Sequence, residues 1–418
     1  MADHQEPANP IGLRAGPLRI VCVLDGYAPH VSGSEVYAQG VCEELARRGH
    51  DVRVICAASG GAPFSGEDEV RRGVRVWRGI GARRSPYAAL RSRVERRRSA
   101  PERALTRPRA LEYEARLREA DPDVVLALPV PRQSVVGAAR FARSTRRPAL
   151  VAPFYHIAFD RFVDDATNWL KLLGSFTAVL ASTAVEESYL ESRGIAPARL
   201  RRPGMFVRPL ASPTLEAVRV LRQRLGVGEG FLVVSAATQF SEPKGTLLLA
   251  RASAALPQLT FALIGGTRSS RAWLARSAPL GRNVHILGFV SEREKAVALA
   301  AADLFALPSR ADSFGIAYQE AHSLGTPSLA LDLPVMREVI GPAGFYVDPD
   351  EGAKGITRAI AELSLRPDRL KRAAAEAPLV AARYAPEHVL GRICGIVEEV
   401  VARHRSSPVT RKRLRRWR

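Results

Sequence analysis

Residues Leu307 to Pro327 read LPSRADSFGIAYQEAHSLGTP, and the fold is decided there. The apolar run just before, Asp303–Leu307, predicts a buried strand, and PSRADSFG follows it as a loop. Ile316–Leu324 then reads as a short helix, closed by Gly325 and stopped by Pro327. Asp312 and Glu320 stand eight residues apart across the loop-to-helix junction. Phe314, Gly315 and Ile316 place backbone N–H groups at the helix start, where anions are favoured. Glu320, one turn further in, could accept two hydrogen bonds from a vicinal diol. The same residues would also suit an ordinary strand–loop–helix unit with two solvated acids.

Working outward toward the amino end, Asn283–Phe289 and Leu259–Ile264 read as strands, the second followed by Gly265-Gly266. Ser291 and Glu294 form a capping box for a helix to about Ala301. Phe231–Ala236 is another strand, followed by ATQFSEPKGT and a helix from Thr246. Lys244 at a helix start opposes the helix dipole, which favours an anion beside it. On the carboxyl side, Ser328–Leu331 and Gly344–Val347 are strands, with Leu333–Ile340 and its Glu338 between them. Helices then run to Glu387–Arg403. His285 and His322 have no partner spacing and read as structural.

The first half repeats the alternation. Leu18–Leu24, helix Ser34–Arg48 and strand Val52–Ala57 make a βαβ unit whose first loop carries Ser32 and Gly33. Val74–Trp77 reads as an edge strand, and Arg83–Arg118 is strongly basic, with a helix in its ALEYEARLREA end. Strands follow at Val124–Leu128, Ala149–Pro153 and Thr177–Ser182, with a helix at Ala184–Arg193. His156 falls just beyond the carboxyl end of the Ala149–Pro153 strand, on the ligand edge of a parallel sheet. Asp121-Pro122-Asp123 and Asp348-Pro349-Asp350 mimic an Asp-x-Asp metal motif but read as loop punctuation. The expected organisation is a disordered lead at 1–16 and doubly wound α/β domains at 17–208 and 209–385. A returning helix at 386–404 and a basic tail at 405–418 complete it.

Bulk numbers narrow the classes. A chain of 418 residues, 46% hydrophobic and 25% charged, suits two or three globular domains. No stretch approaches a membrane span, and the first residues lack a secretory pattern. The four cysteines, at 22, 42, 56 and 394, have no metal spacing and read as buried thiols in a reducing cytoplasm. A net charge of +20 favours anionic partners, sugar nucleotides or anionic lipid surfaces. Nucleic acid is not expected, because neither a zinc-finger spacing nor an RNA-binding aromatic motif is present.

Pro308, Ser309, Phe314, Gly315, Glu320, Ala321, Gly325 and Pro327, in this order, resemble the Glu-x7-Glu signature of retaining glycosyltransferases of family four, with Asp312 in place of the first Glu. Lys244-Gly245 resembles that family's Gly-Arg-x4-Lys-Gly, with Gln239 where the Arg is expected. The resemblance implies a GT-B fold of two Rossmann-like domains, the second holding a UDP- or GDP-linked sugar. It implies transfer of the glycosyl group to a hydroxyl acceptor with retention, and neither a cofactor nor a metal. The roles it implies are catalytic for His156, Lys244, Asp312 and Glu320. Donor contacts are implied for Gly33, Gln239, Phe289, Val290, Phe314, Gly315 and Ile316. The acceptor would be a small molecule, lipid or glycan, and the basic surface would serve a peripheral contact at the inner membrane face. A non-catalytic binder of nucleotide sugars, or a nucleotide-sugar epimerase, would use the same fold.

Overall fold

Strand runs without polar alternation need cover on both faces, and helices supply it throughout. The computed structural model describes residues 16–28, 33–57, 69–82, 108–157, 166–310 and 312–406. Ser32, most of the lead, the 83–107 part of the basic stretch, and tail residues 407–418 lie outside the described residues.

The first sheet is built from β1 (Arg19–Val23), β2 (Asp51–Ala57), β3 (Glu69–Arg71), β4 (Val74–Ile80), β5 (Val124–Ala127), β6 (Ala149–Val151), β7 (Ala178–Leu180) and β8 (Leu200–Arg201). Its order is β3-β4-β2-β1-β5-β6-β7-β8. Between the strands run α1 (Gly33–Arg47), α2 (Pro108–Ala120), α3 (Gln133–Thr145), α4 (Ala166–Leu173) and α5 (Ala184–Ser192). Ile20 sits between Val52 and Val124 in parallel register. The expected edge strand at 74–77 is not at the edge: β3 folds back antiparallel on β4 and takes that place.

The second sheet contains β9 (Leu232–Ala237), β10 (Thr260–Gly265), β11 (Val284–Gly288), β12 (Leu304–Ala306), β13 (Ser328–Leu331) and β14 (Gly344–Val347). Its order is β11-β10-β9-β12-β13-β14, parallel throughout. Its helices are α6 (Leu215–Arg224), α7 (Thr246–Ala255), α8 (Arg268–Ser277), α9 (Glu292–Ala301), α10 (Ile316–His322), α11 (Pro334–Ile340), α12 (Gly352–Ser364) and α13 (Pro367–Ala382), followed by α14 (Pro386–Ser406). Val233, Phe261, Leu304, Leu329 and Ile356 are among its buried core. The winding reverses between β9 and β12. Loops leaving the carboxyl ends of those two strands therefore flank a switch point, the usual ligand position in open parallel sheets.

By packing, the chain falls into two units: Met1–Pro153 with Leu172–Val179 and Arg392–Arg418, and Phe154–Lys171 with Leu180–Gly391. This division differs from the expected boundary at 208, and hydrogen bonds show why residues 180–208 go with the second unit. The Glu338 carboxylate on α11 accepts from the Ala184 and Val185 N–H groups at 2.7 and 2.9 Å. The Val207 N–H donates to the Tyr384 carbonyl at 2.8 Å. In the first unit, Asp121 and Asp123 precede β5 and are clasped by arginines. Asp121 meets Arg19 and Arg147 at 2.9 and 3.0 Å, and Asp123 meets Arg405 at 3.1 Å and accepts from the Arg19 N–H at 2.9 Å. All four cysteines are buried and unbridged. Among the described residues, no helix is long and apolar enough to cross a membrane.

Candidate functional site

Two loops make the site, one after β9 and one after β12, and glycine lets them meet. Gly245 has φ +70, and a Cβ there would lie 2.0 Å from the Pro308 carbonyl oxygen. Only a residue without a side chain fits both demands. The contact is stitched by the Arg310 N–H donating to the Pro243 carbonyl at 2.8 Å. Gly315 is held by the same kind of constraint. Its φ is +81, and a Cβ would stand 2.6 Å from the ring of Tyr318. Tyr318 is fully buried, edge-on to Phe305 at 5.4 Å, and its hydroxyl donates to the Leu307 carbonyl. The turn into α10 is thus fixed from the core outward.

That scaffold brings Lys244 and Asp312 together: Nζ lies 2.6 Å from Oδ1. Asp312 is mostly covered, and its other oxygen, Oδ2, is buried with no hydrogen-bond partner among the described residues. A buried acceptor without a donor costs about 1–3 kcal/mol. One turn into α10, Glu320 forms a second ion pair, with Oε1 at 2.6 Å from Lys295 Nζ on α9. Burial pushes the Glu320 carboxyl above its ordinary range, and the Lys295 charge and hydrogen bond pull it back. The predicted capping box is present: Ser291 accepts from the Glu294 N–H at 3.2 Å, and the Ser291 N–H donates to the Glu294 carboxylate at 2.8 Å. It starts α9 so that the next residue, Lys295, reaches Glu320.

The remaining expected residues fall as follows. Phe314 is buried edge-on to Tyr384 at 4.9 Å, so its ring is core rather than ligand surface. Ile316 opens α10, whose seven residues give only a small dipole; what it offers an anion is local N–H groups. Gln239 is exposed in the loop before Lys244, and Phe289, after β11, is 64% exposed beside half-buried Val290. His156 is half-buried beyond β6. Its neighbour Tyr155 donates its N–H to Glu186 on α5 at 2.6 Å and stacks on Tyr189 at 5.5 Å. Gly33 opens α1 in the first unit. His322 is buried, with Nε2 2.7 Å from Ser328 Oγ, and burial holds it down at about 3, a neutral structural histidine.

Lys295 is a partner of Glu320 that spacing did not reveal, and Arg271 stands beside the expected base-bordering segment. The Arg271 guanidinium, on α8, would lie 3.3 Å from a Cβ placed on Gly288, immediately before Phe289. The preceding residue, Ser270, accepts from the Phe240 N–H at 3.2 Å, next to Gln239. Lys295 could have been read as one turn before buried Leu299 on an otherwise polar start to α9.

Comparison with known proteins now decides the family. Residues 32–204 match the family described as glycosyl transferase 4-like domain, and residues 230–365 match glycosyl transferases group 1. The chain belongs to these GT-B glycosyltransferases. It is 30% identical over 184 residues to the alpha-galactosylglucosyldiacylglycerol synthase of Streptococcus pneumoniae, covering 43% of this chain and 48% of that one. Over 182 residues it is 26% identical to a GDP-mannose-dependent monoacylated alpha-(1-6)-phosphatidylinositol monomannoside mannosyltransferase of Corynebacterium glutamicum, covering 41% and 47%. The matches therefore span about half the length of these relatives. Among solved structures, Anabaena HepE with UDP and glucose superposes with a TM-score of 0.73 at 20% identity, over 91% of this chain and all of that one. Sucrose-phosphate synthase from Thermosynechococcus elongatus superposes at 0.72 with 18% identity, over 92% and 99%. These likenesses are likenesses of fold.

Proposed function

We propose that this member of the family is a retaining glycosyltransferase that moves a sugar from a UDP- or GDP-linked donor to a hydroxyl acceptor. One observation carries the reading. At the switch point of the second sheet, a lysine is paired with an acid whose second oxygen is buried and without a partner among the described residues. The Lys244 ammonium suits a diphosphate, and the bare Asp312 Oδ2 suits a donor-sugar hydroxyl that would satisfy it. Glu320 would accept from the ribose hydroxyls, and the Phe289–Val290 segment would border the base. The half-buried Arg271 guanidinium beside Gly288 is the candidate to replace the cation missing at Gln239.

The chemistry follows from those charges. The bond between the anomeric carbon and the diphosphate oxygen breaks, and a bond from that carbon to the acceptor oxygen forms on the same face. The acceptor proton goes to the departing diphosphate. Lys244 and the N–H groups at Gly315 and Ile316 stabilise the leaving charge, so no metal is needed in this scheme. His156 is assigned to the donor sugar. Relatives whose names specify diacylglycerol or phosphatidylinositol products support a lipid among the possible acceptors. A cytoplasmic site of action, peripheral to the membrane, fits that chemistry.

Incubation with a panel of nucleotide sugars and acceptors tests the reading, with released nucleotide and the anomeric configuration of the product as readouts. Acceptor-dependent release with retention, undiminished by a chelator, is expected. Tight binding without turnover would leave a non-catalytic binder, and sugar epimerised while still attached to nucleotide would replace the proposal with an isomerase.

A further inference from the structure

We propose that Lys295 is a positioning residue for donor recognition: its ammonium, 2.6 Å from Oε1, supplies the countercharge that holds the Glu320 carboxylate aimed, so that it can accept from the 2′ and 3′ hydroxyls of a ribonucleoside diphosphate. This rests on the assignment of Glu320 to the ribose.

The argument begins with the carboxylate's surroundings. Glu320 projects from α10 and its side chain is only 16% exposed. A carboxylate taken out of water tends to hold a proton, and the Glu292 charge on α9 pushes the same way. A protonated carboxyl carries a hydrogen of its own and presents fewer free lone pairs, so it cannot receive two hydroxyl donors well. Lys295, on the same helix as Glu292, is the cation that opposes both effects. It occupies one of about four lone-pair positions of the ionised group. The contact is to Oε1 alone. Oε2 and the free side of Oε1 remain for a diol.

A purely structural ion pair tying α9 to α10 is the competing explanation. It is weakened by a second tie at the same place: Thr326 Oγ1, just past α10, donates to the Leu299 carbonyl of α9 at 2.7 Å. A fold that needed only a tether there already has one.

The test uses the full chain and compares affinity for UDP and 2′-deoxy-UDP, and for GDP and 2′-deoxy-GDP, by calorimetry. Wild type should prefer the ribo form. Lys295→Met should lower affinity for the ribo form by about tenfold, the scale of one charged hydrogen bond, and weaken the deoxy form, which keeps only the 3′ hydroxyl, by less. Lys295→Arg should restore most of the preference. Lys295→Gln, which keeps a donor without charge and serves if the Met variant does not fold, should resemble Met in its preference. A ribo-to-deoxy ratio unchanged in the Met or Gln variant overturns the proposal while leaving Glu320 on the ribose. A wild type that binds both forms equally overturns the ribose assignment itself, and the proposal with it.

Discussion

The molecule pairs acids with cations at opposite ends of parallel strands, and the two settings behave differently. At the amino end of β5, Asp121 and Asp123 are surrounded by Arg19, Arg147 and Arg405. Each carboxylate there has an arginine partner. At the carboxyl ends of β9 and β12, Lys244 meets Asp312 through one oxygen and leaves the other buried, with no partner among the described residues. The clasp is finished chemistry and stabilises the fold. The other pair is incomplete, and an incomplete buried pair is stable only if something larger holds it in place. Here Gly245 against Pro308, and Tyr318 against Gly315, do the holding. From residues alone the Asp-x-Asp string reads as loop punctuation and the Glu-x7-Glu-like string as a site. Which oxygens go unpartnered separates them.

The contrast can be broken most sharply by removing the cation or the diol acceptor. Lys244→Ala and Glu320→Ala should each abolish most of the rise in melting temperature given by the preferred nucleoside diphosphate. Retention of the full rise in both variants would show that the site lies elsewhere. The next effect is on stability. His322, in the helix that carries Glu320, is held at about 3, so the folded protein binds fewer protons there than the unfolded chain between about pH 6.5 and pH 3. Its contribution is complete above pH 6.5 and falls by about 1.4 kcal/mol per unit as pH drops through that window. Unfolding measured against pH should show this slope, and His322→Asn should flatten it.

Asp312→Asn should reduce the preference for nucleotide sugar over bare nucleotide by about tenfold, since an amide nitrogen or oxygen replaces the acceptor awaiting a sugar hydroxyl. An unchanged preference in a binding titration would move the sugar away from Asp312. The smallest effect belongs to the clasp. Burial opposes ionisation of Asp123, but the Arg19 N–H and Arg405 hold its carboxyl below the usual range. Its stabilisation is therefore present above the ordinary carboxylate range and lost as pH falls below it. Asp123→Asn should cost less than about 1 kcal/mol, as partly exposed pairs do, and leave nucleotide affinity unchanged.

Much of the second sheet was legible because its strands are unbroken apolar runs bounded by glycine and proline. Ser328–Leu331 and Gly344–Val347 fall where the residues predict. α8 was not legible. Arg268–Ser277 is polar with only Leu274 and Ser270 deeply buried, and it is started by a Thr267 cap rather than by an apolar stripe. Within the site, Lys244, Asp312 and Glu320 could be named from a string of residues. Lys295, the partner of Glu320, could not, because it comes from another helix at a separation that no local spacing records. What the string assigned to Phe314 was its backbone N–H; its ring packs as core against Tyr384.

The Glu338 carboxylate, gripping the first two N–H groups of α5 from 154 and 153 residues away, has a consequence for anyone cutting the chain. A recombinant fragment beginning at 209 would keep every strand of the second sheet and lose the two N–H groups that this acid accepts from. Such a piece should express poorly or melt early. One that begins at 154, keeping both 180–208 and the Tyr155 N–H that buried Glu186 accepts, should be the shortest version worth purifying for crystallisation with nucleotide.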